Sequence, residues 1–126
     1  MWWFSRRKRL EIWEETIEWP IGDIDAAQRI REICRSAADS AEKTGAQAGP
    51  DRKSPQHSER YQRAAKAAME IAIKVSDDLM RGSSVGQIVE LCVKANDLRT
   101  ARILLRAIQS VSIREDVLNA YPVLRQ

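Results

Sequence analysis

The scarcest residues in this chain set the first limits on what it can do. Two cysteines and one histidine among 126 residues supply no tetrahedral zinc set, and Cys34 and Cys92 stand in no ligand-like spacing. There is no glycine-rich phosphate loop, no metal-spaced acid cluster and no nucleophile beside a base. The sequence therefore argues against an enzyme, calls for no cofactor and makes no small-molecule substrate evident. No uncharged run, Gly82–Val89 included, exceeds eight residues, far short of the ~20 that a membrane-spanning helix needs. Four consecutive cations follow Phe4 with no apolar core behind them, so no secretory leader is expected. Two thiols read as small buried hydrophobes suit a reducing compartment, and the cytoplasm is the expected location.

Glycine and proline are few, threonine, valine and aromatics are too sparse for a sheet, and Ala, Arg, Glu, Ile and Leu dominate and favour helix. A hydrophobic share of 44% and a charged share of 31% fit one soluble domain. The expected fold is all-α, a helical bundle or short α-solenoid of five to six helices built from antiparallel α-hairpins. The net charge is +3. Residues 1–60 hold 11 basic and 11 acidic side chains, and residues 61–126 hold 10 and 7. Neither half is basic enough to demand nucleic acid.

The most informative stretch is Ser84–Ser110. Val85, Ile88, Cys92 and Ala95 are spaced by three, four and three, and Leu98, Ala101, Leu105 and Ile108 repeat that spacing. Both runs predict amphipathic helices. Ser84 with Gln87 reads as a capping box. Asn96 and Asp97 read as a left-handed stop followed by a new cap. A turn this short lays the two helices antiparallel. The hairpin resembles one unit of a tetratricopeptide-type helical repeat, with Asn-Asp at the turn, a small Ala101 early in the second helix and Leu105 four positions on. The resemblance covers about a quarter of the chain and implies a repeat-like scaffold. Val85, Ile88 and Cys92 depart from the large anchors of that family, and Val89 stands where a small residue is expected.

The N-terminal segment differs in kind. Met1–Arg9 places Trp2, Trp3 and Phe4 before Arg6, Arg7, Lys8 and Arg9. Leu10, Trp13 and Ile17 then suggest a short helix, with an edge strand as the alternative, ended at Trp19 by Pro20. All four tryptophans lie within residues 1–19, so this arm must bury them on its own bundle, a second copy or another partner. The division expected is a Trp-rich arm over 1–22, an amphipathic helix over 23–43, a flexible loop over 44–54 and a C-terminal bundle over 55–126. In the 23–43 helix the stripe reads Ile24, Ala27, Ile30, Cys34, Ala37 and Ala41. Shifted by 74 positions it aligns with the second hairpin helix, Ala27 on Ala101 and Ile30 on Leu104, a candidate internal repeat. His57 reads as a solvated surface group.

In the bundle, Ser54-Pro55 opens a long central helix, its stripe Tyr61, Ala65, Ala68, Ala72, Val75 and Leu79, closed by Gly82 as a left-handed cap. Ser112 with Glu115 reads as the start of a last helix stopped by Pro122.

Two functions follow from these features. The first is a non-catalytic helical interaction or adaptor module that binds a protein partner or forms a homo-oligomer, with Trp2, Trp3, Phe4, Trp13 and Trp19 as the contact residues. The alternative is a nucleic-acid-associated protein using Arg6, Arg7, Lys8 and Arg9 with the row Arg99, Arg102 and Arg106 as phosphate contacts. The same aromatic and basic tail would suit peripheral membrane contact.

Overall fold

A computed structural model describes residues 10–46 and 55–125. Among these residues the protein is an all-α helical bundle with no strand. Its helices are α1 (Asp23–Ala46), α2 (Pro55–Ala72), α3 (Asp78–Lys94), α4 (Leu98–Arg106) and α5 (Val111–Ala120). Single 3₁₀ turns occur at Ile12–Glu14 and Pro122–Arg125. Trp2, Trp3, Phe4 and Arg6–Arg9, with residues 47–54 of the expected loop, lie outside the described residues.

The central helix is α3, not the 55–79 helix expected from the alanine stripe. It packs against α1, α2, α4 and α5. Its start is at Asp78, where Asp77 accepts from the Met80 amide. Ser84 is thus a buried mid-helix residue and not a cap. Gly82 likewise lies inside the helix. A Cβ there would come within 3.2 Å of Ile113 Cδ1, so its size lets α5 lie close. The preceding helix ends at Ala72, and a turn carries the chain through Val75 to the new cap. Leu79, placed beyond that turn, is exposed and not part of the core.

The expected hairpin is present. Asn96 adopts φ 57°, the left-handed conformation that an Asn tolerates. Asp97 accepts from the Thr100 amide through Oδ1 and from the Tyr61 hydroxyl through Oδ2 at 2.7 Å. One carboxylate therefore caps α4 and ties the turn to α2. Val85, Ile88, Cys92, Ala101, Leu105 and Ile108 are all buried, as their spacing predicts. The last helix starts two residues earlier than expected, because Ser110 and not Ser112 accepts from the Ile113 amide.

Helix α1 packs most extensively on α2 and next on α3. Its Ile30 and Ile33 are 0% exposed. Residues 55–126 alone would leave uncovered the face that α1 covers. The buried stripe of α1 runs Ala26, Ile30, Ile33, Ala37, Ser40 and Ala41. Ile24 is exposed and Cys34 only half-buried, so the stripe is turned from the one expected. Under the 74-residue shift, buried Leu105 falls on exposed Arg31. The two helices bury residues out of phase with that alignment. The helix also runs on through Thr44–Ala46, where a loop was expected. There Gly45 approaches the Lys94 carbonyl so closely that a Cβ would collide with it.

Candidate functional site

The arm, residues 10–22, forms neither the helix nor the edge strand that its pattern suggested. One 3₁₀ turn, closed by the Glu14 amide donating to the Glu11 carbonyl and the Glu11 amide to Glu14 Oε1, is followed by chain without regular secondary structure. Contacts with α1 and α2, and not local periodicity, set its course.

Those contacts centre on Arg60 of α2. Its Nε and one terminal nitrogen donate to the two carboxylate oxygens of Glu11 at 3.1 and 3.0 Å. Its other terminal nitrogen donates to Ser40 Oγ of α1 at 2.8 Å. The Trp13 ring covers the same guanidinium, 4.9 Å from its centroid. This is the planar, bidentate and stacking use that distinguishes Arg from Lys. Ser40 is buried and lies 3.4 Å from His57 Nδ1. The hydroxyl accepts from Arg60 and shares a hydrogen bond with the imidazole, whose tautomer sets which of the two donates. His57 is accordingly half-buried in a network and not the solvated group expected. Further along, Arg29 of α1 reaches Glu15 at 3.6 Å. Lys74 sits over the Trp19 ring at 4.3 Å.

The arm and α2 leave a trough between them. Its apolar end, about 400 Å³, is lined by Trp13, Ile17, Trp19, Ala67, Ile71 and Ile73, with Glu15, Glu70 and Lys74 at the rim. Trp19 is 38% and Ile73 67% exposed. The other end, about 340 Å³, shares Trp13 and is lined by Glu11, Glu14, Gln56, Glu59, Arg60 and Arg63. One end of the trough is therefore mainly apolar and the other mainly charged.

The remaining expected residues are dispersed. Arg99 and Arg106 are exposed. Arg102 is half-buried and donates to the Val123 carbonyl at 3.2 Å, while its Nε is buried without a partner. The three arginines share α4 and differ in exposure. Cys34 and Cys92 are free thiols. Burial, helped for Cys34 by Cys92 and Glu90, pushes Cys34 up to about 12, and burial pushes Cys92 up to about 11. Both stay protonated at neutral pH, the state of an inert thiol. Burial raises Tyr61 above its ordinary range, with Cys92 and Asp97 adding to the effect. No group of three or more His, Cys, Asp or Glu that could hold a metal ion occurs among the described residues. No helix among them is long and apolar enough to cross a membrane.

Arg60, Ser40, Glu11 and Ile73 are the site residues that sequence reading missed. Arg60 and Glu11 are 49 positions apart, and no local pattern links them. Compared with known proteins, the chain matches no family model, no curated protein and no solved structure.

Proposed function

We propose that this protein is a non-catalytic helical interaction module that binds another polypeptide through its Trp-rich arm, a second copy of itself included. The observation that carries the reading is the apolar end of the trough. There a partly exposed Trp19 and an exposed Ile73 border a groove floored by Trp13, Ile17, Ala67 and Ile71. Large aromatics at a groove, held by cation–π contacts, are the kind of residue that dominates binding energy at interfaces. The helices serve as scaffold. The α1–α2 and α3–α4 pairs are read as two stacked hairpins of a repeat-like support, which supplies the rigid face that an arm by itself would lack. Two protonated free thiols suit a reducing compartment, and the cytoplasm is the proposed location.

Light scattering on the full chain, paired with the Trp19→Ala/Ile73→Glu variant, tests the reading. The expected result is concentration-dependent association, or binding of an apolar fluorescent dye, that the double substitution abolishes. A monomer at every concentration whose groove also takes up no dye would remove the arm as an attachment surface. Because Trp19 and Ile73 are exposed, the substitutions should leave the helical circular dichroism unchanged.

A further inference from the structure

A second cleft lies on a face that shares no residue with the trough. Helices α1 and α3 run in the same direction. Asp23, at the start of α1, accepts the amides of Ser76 and Asp77, which lead into α3. At the other end Gly45 meets the Lys94 carbonyl. The seam between the two helices opens into a cleft of about 410 Å³, lined by residues of α1 and α3. Its apolar part is made by buried Leu91 with half-buried Cys34 and Ala38. Around that part stand Arg31 and Arg35 of α1 and Lys94 of α3, all three exposed. We propose that this cleft binds a phosphate monoester carried on a small apolar body, of which an aryl phosphate is the simplest form. A ligand site on this face goes beyond the interaction reading and does not depend on it.

Charge selects the ligand. Arg31 and Arg35 are four residues apart, so both side chains stand on the same face of α1. Lys94 is paired at 3.7 Å with Glu90, the carboxylate that lines the cleft. Neither arginine has an ion-pair partner among the described residues. Of the carboxylates beside them along α1, Asp39 pairs with Lys43 at 3.2 Å and Glu32 reaches neither arginine. Two guanidinium groups are thus left uncompensated. A phosphate monoester carries a charge of about −2 at neutral pH and three acceptor oxygens, which matches both. A carboxylate or a phosphodiester brings about one negative charge and leaves an arginine unmatched. The planar guanidinium fork also suits bidentate contact with phosphate. Gln87, half-buried on α3, adds an amide donor from the opposite wall. The apolar part shelters the body of the ligand, and the volume falls in the range of about 300–1,000 Å³ usual for ligand pockets. Inorganic phosphate satisfies only the charged part.

Titration of the ¹⁵N-labelled full chain with phenyl phosphate, followed by amide chemical shifts, tests this directly. Saturable shifts are expected at Ala38 and Leu91. Binding should be tighter by about tenfold than that of inorganic phosphate, which lacks the apolar body, or of benzoate, which lacks the second charge. Arg31→Gln/Arg35→Gln should weaken it by about tenfold. Arg99→Gln/Arg106→Gln, which removes two exposed arginines from α4, should leave it unchanged. All four side chains are exposed, so the helical circular dichroism should persist in both variants. No saturable shift at Ala38 and Leu91 would overturn the proposal. So would equal weakening by the α4 substitutions, or phenyl phosphate no tighter than inorganic phosphate, the mark of an adventitious ion only. An oligonucleotide that takes the cleft more tightly than phenyl phosphate would overturn it in favour of a phosphodiester backbone. A phosphotyrosine peptide separates the two sources of the monoester. Tighter binding than phenyl phosphate places the group on a polypeptide, and equal or weaker binding places it on a free ester. Trp19→Ala/Ile73→Glu should bind phenyl phosphate as the unaltered chain does, so loss of the interaction reading and loss of the cleft are separate results.

Discussion

Helix α1 and the arm are consecutive in sequence and both pack on α2, yet they are held in different ways. Helix α1 is held by shape. Ile30 and Ile33 are fully buried between α2 and α3, and Gly45 lets its last turn meet the Lys94 carbonyl. The arm is held by charge and stacking together with the partial burial of Ile12, Trp13, Ile17 and Ile21 against the core. Arg60 grips Glu11 and Trp13, Arg29 reaches Glu15, and its apolar residues stay half-covered. Apolar burial is non-directional and collective, so it joins α1 to the cooperative core. A few charge-assisted contacts at a partly wet seam can open singly. A segment meant to present tryptophans to a partner is better attached in the second way.

The largest effect expected follows from this contrast. Ile33→Ala should cost about 2–5 kcal/mol, whereas the same truncation of half-buried Ile17 should cost well under half of that; chemical denaturation measures both. Equal losses would mean that the arm belongs to the core. Next, Arg60→Ala removes the clasp and leaves the buried Ser40 hydroxyl without its donor, a loss of about 1–3 kcal/mol. It should also shift Trp13 emission to the red while the helical circular dichroism persists. Gly45→Ala is expected to cost about 1–3 kcal/mol by forcing α1 from the Lys94 carbonyl. Tyr61→Phe, which deprives Asp97 Oδ2 of one hydrogen bond while Oδ1 still caps α4, should cost about 0.5–1.5 kcal/mol.

The pH dependence sharpens the same distinction at smaller amplitude. The thiols of Cys34 and Cys92 ionise near 9 when free and are raised to about 12 and about 11 in the fold. The unfolded chain then binds fewer protons above pH 9. Stability is fully present below that value and falls as pH rises towards 11–12. Double Cys34→Ala/Cys92→Ala substitution should reduce that limb, and the raised hydroxyls of Tyr61 and Tyr121 should keep a remainder of it above pH 10. Asp23 acts at the other extreme. Both its oxygens accept backbone amides, from Ser76 and Asp77, and this lowers its ionisation below 3.8. Its contribution is present above that value and lost as pH falls through the lowered one; Asp23→Asn should remove this acid limb.

Local chemistry explains what was legible in the sequence. Asn96 and Asp97 determine the α3–α4 turn with their own backbone and side chains, so the hairpin could be read directly. The stripe of α2 was legible for the same reason up to Val75. Small residues misled where their purpose was distant. Gly82 and Ser84 look like a helix break, but they are small because α5 and the core lie against them. Asp77, the true cap, stands beside a second aspartate that begins the helix. In α1 the stripes through Cys34 and through Ile33 are equally helical, and only contact with α2 and α3 chooses between them. The arm's periodicity pointed to helix, yet Arg60 and α2 hold it in one turn and chain without regular secondary structure. Ser40, a buried hydroxyl amid alanines, has a reason to be there only once Arg60 is in place.

Native-state hydrogen exchange is the measurement that tests the central claim most directly, namely that the arm is a separable surface on a cooperative α1–α5 core. The account predicts that the Glu14 amide, which closes the arm's turn onto the Glu11 carbonyl, exchanges through a low-energy opening insensitive to small amounts of denaturant. The amides of Ile30, Ile33 and Ile88 should exchange only with global unfolding. If the arm and core amides merge on a single denaturant-dependent isotherm at the full unfolding free energy, the arm is core and the claim is wrong.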